Sequence, residues 1–166
     1  ADAYLNMGVI YQEQGKLDGA IEACTKALAI KPDYAEAYNN MGAVLQEQGK
    51  LKDAMMAYTK ALAIKPDYDE AFYNVSSSLK DVIFNKPSRE LQKTIVSLLD
   101  KEKYVRPKEI ANTSISLLKF EPTLQKHLKL VDNAVIHNPL EVIAELNELP
   151  LLLKLMSVCP LPDLEL

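Results

Sequence analysis

A stretch of 34 residues occurs twice, back to back and without a gap. Ala1 to Tyr34 reads ADAYLNMGVIYQEQGKLDGAIEACTKALAIKPDY and Ala35 to Tyr68 reads AEAYNNMGAVLQEQGKLKDAMMAYTKALAIKPDY, the same residue at 24 of the 34 positions. No other feature constrains the fold as strongly. A fixed period of about this length marks units that bury their apolar faces by stacking on their neighbours. Apolar residues fall at helical spacing inside each unit: Tyr4, Met7, Gly8 and Tyr11, then Leu17, Ala20, Cys24, Ala27 and Leu28. Gly15 and Gly49 punctuate the two helices, because glycine takes a positive φ at a helix end at no Cβ cost. Lys31-Pro32-Asp33 and Lys65-Pro66-Asp67 end the second helix, since the residue before a proline is pushed out of the α region. Gly8, Ala20 and Ala27, copied as Gly42, Ala54 and Ala61, are small where two helices approach closely. Tyr4, Tyr11, Tyr38 and Tyr58 are bulky where space between helices must be filled.

These residues resemble the tetratricopeptide repeat family. Its pattern is met by Tyr4, Met7-Gly8, Tyr11, Gly15, Ala20, Cys24, Ala27 and Pro32, and again by Tyr38, Met41-Gly42, Leu45, Gly49, Ala54, Tyr58, Ala61 and Pro66. Departures are Tyr for Trp, Met for Leu, and Cys24 or Leu45 for an aromatic. The resemblance implies an all-α fold, a right-handed superhelical stack of helix hairpins. A third unit opens at Asp69, with Phe72, Val75, Ser76 and Leu79 in the places of Tyr4, Met7, Gly8 and Tyr11. It then departs: Ile83 replaces the turn glycine, and Ser88, Gln92 and Ile95 do not reproduce the second helix. The expected division is therefore a repeat array over residues 1–84 and a helical region without repeats over 85–166.

In that second region Leu91, Ile95, Leu98 and Leu99 form an apolar stripe on a helix predicted from Ser88 to Lys101. Prolines mark the starts of further helices over 107–119, 122–137 and 139–147, and a short one after Pro150. Asn138-Pro139-Leu140-Glu141 places a capping side chain, a first-turn proline and an acid in the right order for a start. A bundle, or a cap over the last repeat, is expected. The stretches Val105 to Ala111 and Leu149 to Met156 resemble the segment that follows the repeats in some bacterial proteins continuing into a methyltransferase or other transferase domain. No glycine-rich loop for a nucleotide or methyl donor accompanies them, and no cofactor is expected.

Composition narrows the function classes. The net charge of −4 is shared evenly on either side of Tyr68, and Arg89 and Arg106 are the only arginines, so no basic stripe points to nucleic acid or an anionic membrane. Leu149 to Cys159, the longest apolar run, is broken by Pro150 and Lys154 and is too short to span a bilayer. Cys24 and Cys159 are far apart with no partner motif, which argues against a disulfide framework or zinc site and fits a reducing, cytoplasmic compartment. The chain opens inside a repeat, so it reads as a piece of something longer. Enzymatic readings find little support. His127 and His137 fit surface or capping roles, and Ser76-Ser77-Ser78 has no nearby His or Cys to activate a hydroxyl.

In the tetratricopeptide family the fifth, sixth, ninth, twelfth and thirteenth positions commonly face the inner surface of the superhelix. By that resemblance the inward set is Leu5, Asn6, Val9, Gln12 and Glu13; Asn39, Asn40, Ala43, Gln46 and Glu47; and Tyr73, Asn74, Ser77, Lys80 and Asp81. Asn6, Asn40 and Asn74 recur at the repeat spacing. A carboxamide both donates and accepts, so a row of them can grip the N–H and C=O of an extended peptide whatever its side chains. Such a row resembles the asparagine ladder of O-linked N-acetylglucosamine transferases, although asparagine here can also serve to tie neighbouring helices together. The family's other use, a clamp for a terminal carboxylate, needs Lys or Arg and Asn at positions that hold Leu5, Val9, Asn40, Glu70 and Asn74 here, so only Asn40 matches and no cation is there to meet the carboxylate. Asp2, Glu36 and Glu70 would make an acidic rim that favours neutral or basic peptides. The expected function is a non-catalytic scaffold that binds an extended protein segment through Leu5, Asn6, Val9, Gln12, Asn39, Asn40, Gln46, Tyr73, Asn74 and Ser77. The rival is the recognition and linker portion of a transferase whose catalytic domain lies outside this chain. Self-association by stacking of terminal repeats is a third expectation.

Overall fold

The computed structural model describes residues 1–80, 82–86, 88–101, 104, 106–132 and 139–158. Their regular structure is α-helix, with no strand among the described residues. The chain divides into two compact units, Ala1–Val82 and Ile83–Leu166.

In the first unit the helices are α1 (Asp2–Glu13), α2 (Leu17–Ile30), α3 (Ala35–Glu47), α4 (Leu51–Ile64) and α5 (Asp69–Leu79). Helices α1 and α2 form one antiparallel hairpin and α3 and α4 a second, with α2 packed on α3 and α4 on α5. The first helices α1, α3 and α5 also touch in succession. Each turn inside a hairpin is built by one glycine. Gly15 and Gly49 sit at φ 70° and 73°. The N–H of Gly15 reaches the Gln12 carbonyl and that of Lys16 the Tyr11 carbonyl, both at 2.8 Å. Gly49 and Lys50 repeat the pattern to Gln46 and Leu45 at 2.9 Å. This paired closure satisfies carbonyls that a helix end would otherwise leave open. At the other end of each hairpin, Lys31 and Lys65 leave the helical region before a proline, and their ammonium groups lie 4.4 and 4.5 Å from the ring centres of Tyr34 and Tyr68.

Close approach of the paired helices explains the small residues. Ala20, Ala27, Ala54 and Ala61 are fully buried. A Cβ on Gly8 would stand 3.1 Å from the Cys24 sulfur, and one on Gly42 only 2.5 Å from the Tyr58 ring. Of the four tyrosines expected to fill space, Tyr58 is fully buried, while Tyr4, Tyr11 and Tyr38 are half-buried. The third unit keeps only its first helix. Phe72, Val75 and Leu79 are buried on it, but residues 82–84 are not helical and Ile83 is exposed.

The second unit holds α6 (Arg89–Asp100), α7 (Pro107–Leu118), α8 (Pro122–Asp132), α9 (Pro139–Leu146) and α10 (Pro150–Val158). The Ser88 hydroxyl caps α6 by accepting the Leu91 N–H at 3.3 Å, and proline opens each of the other four helices, where its missing donor costs nothing. Helix α10 packs on both α6 and α7, burying Leu151 and Leu155. Leu91, Ile95, Leu98, Leu99, Ile110 and Leu117 complete that core. Helices α8 and α9 are joined by Lys126, whose ammonium donates to both Glu145 oxygens at 2.7 and 2.8 Å. Asp81, His137, the cap expected at Asn138, and Cys159 lie outside the described residues, as does the 133–137 part of the helix predicted over 122–137. No helix is long and apolar enough to cross a membrane among the described residues.

Candidate functional site

The residues singled out from the repeats fall on α1, α3 and α5, but they do not share one environment. Asn6 and Val9 are exposed on α1, with Leu5 and Gln12 half-buried beside them. On α5, Tyr73 and Ser77 are exposed and Asn74 is half-buried. Asn40 is half-buried on α3. Asn39 and Gln46 are different in kind. Asn39 is 0% exposed, and Gln46 is turned to internal partners. The reason is stacking: α5 lies against α3 and covers the side of it that carries these two residues.

Asn39 sits in a chain of hydrogen bonds whose direction is fixed by its last member. Its Nδ2 donates to Glu70 Oε1 at 3.0 Å, and its Oδ1 accepts from Asn74 Nδ2 at 3.0 Å. A carboxylate only accepts, so Asn39 must turn its NH2 toward Glu70. That leaves the Asn39 oxygen to receive one N–H of the Asn74 amide, which fixes which way round that amide lies and leaves its oxygen and second N–H for other partners. Gln46 makes a second bracket. Its Oε1 accepts the Tyr58 hydroxyl at 3.0 Å and the Ser78 hydroxyl at 2.9 Å, tying α3, α4 and α5 together. Between α1 and α3 the link is Gln12 Nε2 to Glu47 Oε1. Ser77 bonds its own helix at the Asn74 carbonyl.

Thus the three asparagines at the repeat spacing are not equivalent. The position before Asn6 is Leu5 and the position before Asn74 is Tyr73, but the position before Asn40 is Asn39. Asn39 itself carries a carboxamide where the first unit has Leu5, and it bonds both Glu70 and Asn74, so among the described residues Asn74 alone of the three is oriented by a bonded neighbour. Glu70, Gln46 and Ser78 are the members that reasoning by position did not single out as structural. The signal was present in the change from Leu5 to Asn39 between otherwise matching units.

The acids on this side are engaged as well. Asp2 accepts the Tyr34 hydroxyl at 2.8 Å, Glu36 meets Lys65 at 3.4 Å, and Glu70 accepts the Tyr68 hydroxyl at 3.3 Å. Burial, with Glu70 and Glu36 adding to it, pushes the Tyr68 phenol up to about 12. Burial pushes Tyr58 up too, with the Glu70 and Glu47 carboxylates next in effect. Burial is the larger cause for both phenols, and the Glu70 carboxylate adds to it in each. Elsewhere, His127 is a half-buried partner of Glu145 at 3.1 Å, a structural contact between α8 and α9. No group of three or more His, Cys, Asp or Glu side chains that could hold a metal occurs among the described residues.

Residues 1–67 match a protein-family model described as tetratricopeptide repeat. The match spans the two complete repeats and ends before α5. No curated protein matches the chain.

Proposed function

We propose that the tetratricopeptide repeats at the start of this chain, together with α5, bind an extended segment of another protein along the exposed sides of α1, α3 and α5. Repeats of this family generally mediate protein–protein interaction. What carries the finer reading is the orientation of Asn74. One N–H bonds Asn39 and fixes which way round the amide lies, its oxygen has no bond among the described residues, and an acceptor at that place suits a peptide N–H. Beside it Tyr73, 66% exposed, supplies a large amphipathic surface of the kind that anchors interfaces. Val9 and Asn6 continue the exposed surface on α1, and Asn40 lies between them on α3. Asn39 and Gln46 support this surface from behind. The carboxylates of Glu13, Glu47 and Glu70 favour a neutral or basic segment over an acidic one.

The test is to select binders for the full chain from a displayed library of unstructured peptides, then to measure their affinities by fluorescence anisotropy. Asn74→Ala and Tyr73→Ala should each weaken unrelated hits by about tenfold, because both act on features common to all peptides. Asn6→Ala should cost less, since no neighbour among the described residues orients that side chain. Unchanged affinity of every hit for Asn74→Ala and Tyr73→Ala together would sink the reading.

A further inference from the structure

The second unit contains a cavity of about 680 Å³ that lies outside the repeats. One wall is a single face of α6, where Arg89, Gln92, Lys93 and Val96 follow helical spacing. The facing wall is formed by Glu121 and Thr123 at the start of α8, and by Leu149 to Leu151 at the start of α10. The volume falls within the range of about 300–1,000 Å³ typical of small-molecule sites.

Its charges are arranged by depth. Glu121 is only 7% exposed and Gln92 only 8%, and the Gln92 amide donates to Glu121 Oε1 at 2.6 Å. No cation pairs with Glu121 among the described residues. A buried carboxylate is costly unless its lone pairs are met, and one amide meets only part of them. Arg89 and Lys93 are exposed on the same cavity and enter no ion pair among the described residues. Glu148, also exposed, lies on the rim. Two cations and two carboxylates balance, which disfavours a phosphate or any other multiply charged anion. Val96, Leu149 and Leu151 give the space between them an apolar wall.

We infer that this cavity binds a small zwitterion of the basic amino-acid type, with its guanidinium or ammonium against Glu121, its carboxylate at Arg89 and Lys93, and its methylene chain along Val96 and Leu151. The inward cation completes the hydrogen bonding of Glu121, and a guanidinium does so with two parallel donors. The outward carboxylate meets cations that remain hydrated, so it contributes direction more than strength. The site is independent of the repeat surface, and its occupant need not be a protein.

The test is a titration of the isotopically labelled full chain with N-acetyl-L-arginine, followed by amide chemical shifts. Saturable shifts are expected at Gln92, Lys93, Thr123 and Leu151, with none on α1, α3 or α5. Acetylagmatine, which lacks the carboxylate, and N-acetyl-L-citrulline, whose head group is uncharged, are the comparison ligands. Citrulline should bind about tenfold more weakly than arginine, as should arginine to Glu121→Gln. Joint replacement Arg89→Ala and Lys93→Ala should weaken N-acetyl-L-arginine several-fold and leave acetylagmatine unchanged. These two positions are exposed, so the variant retains its fold. The citrulline comparison uses the unaltered chain and decides the matter even if Glu121→Gln does not fold. Absence of saturable shifts at the cavity, or equal affinity for the arginine and citrulline ligands, overturns the assignment.

Discussion

Gly42 and Tyr58 show how one missing methyl group sets the spacing of a helix pair. A Cβ at position 42 would lie 2.5 and 2.6 Å from two ring carbons of Tyr58. The ring cannot retreat, because it is fully buried and its hydroxyl is held by Gln46. Alanine should gain about 1 kcal/mol of helix propensity over glycine but lose more to overpacking, which costs about 1–3 kcal/mol and here falls at the upper end. Gly42→Ala is therefore expected to lower stability by about 1–2 kcal/mol in urea unfolding. Gly8→Ala should change it by less than about 0.5 kcal/mol, since the nearest atom is the Cys24 sulfur at 3.1 Å and a thiol can shift. Adding Tyr58→Cys to Gly42→Ala gives the second hairpin the alanine–cysteine pair that Gly8→Ala gives the first, and the clash component of the loss should disappear. The tyrosines also make a prediction in pH. Burial, with Glu70 next, pushes the Tyr68 phenol up to about 12 from a usual value of 10, so the unfolded chain gives up this proton first. The stability it contributes is complete below pH 10 and declines as pH rises toward 12, with Tyr58 acting in the same direction. Thermal unfolding followed across that range should show the decline, and Tyr68→Phe together with Tyr58→Phe should flatten it.

At the scale of helices, the ends were legible and the contacts were not. Gly15 and Gly49 announce their turns because the requirement is local: a left-handed residue closes two carbonyls within the last turn. Nothing lies within 4 Å of a Cβ built on either glycine, so the cost of alanine there is backbone strain alone. Gly15→Ala and Gly49→Ala should each cost about 1–2 kcal/mol, readable as equal drops in unfolding midpoint. Prolines 107, 122, 139 and 150 were legible for the same local reason. Asn39 was not. Its position within the repeat matches that of Leu5, and what separates a buried bracket from an open side chain is the helix that comes to lie on it from 31 to 35 residues away. The second unit has no period, so the packing of α10 on α6 and α7, and the cavity at their ends, could not be read from spacing at all. Asn39→Leu isolates the bracket. It inserts the residue that the first repeat uses, and it should alter stability by less than about 1.5 kcal/mol because both partners of the Asn39 amide retain access to water. Under the proposed function it should still weaken peptide binding several-fold, since Asn74 is then free to turn its amide either way.

Across the whole repeat unit, residues at matching positions have different energetic weight according to what is stacked on them. Ile10 on α1 is 49% exposed, Val44 one repeat on is 1% exposed, and Ser78 one further is 3% exposed. The same holds for Met7, 41% exposed, whose counterpart Val75 is fully buried. The hairpin of α1 and α2 covers α3, the hairpin of α3 and α4 covers α5, and no hairpin covers α1 among the described residues. A repeat array is stabilised through interfaces between neighbours, so the contribution of a side chain follows the interface and not the residue type. Val44→Ala should therefore cost about 1–3 kcal/mol by loss of burial and a residual cavity, while Ile10→Ala, although it removes more atoms, should cost less than about 0.5 kcal/mol. Denaturant unfolding of the two variants at low protein concentration measures the difference. The comparison also bears on self-association through α1. A copy of the chain seated on Met7 and Ile10 would bury them, and Ile10→Ala would then lower both stability and mean mass in a concentration-dependent way. Sedimentation across a wide concentration range, run on the parent and on Ile10→Ala, separates the cases: a constant monomer mass with a near-neutral Ile10→Ala leaves α1 an open end, and a mass that rises in the parent alone makes that face an interface between copies.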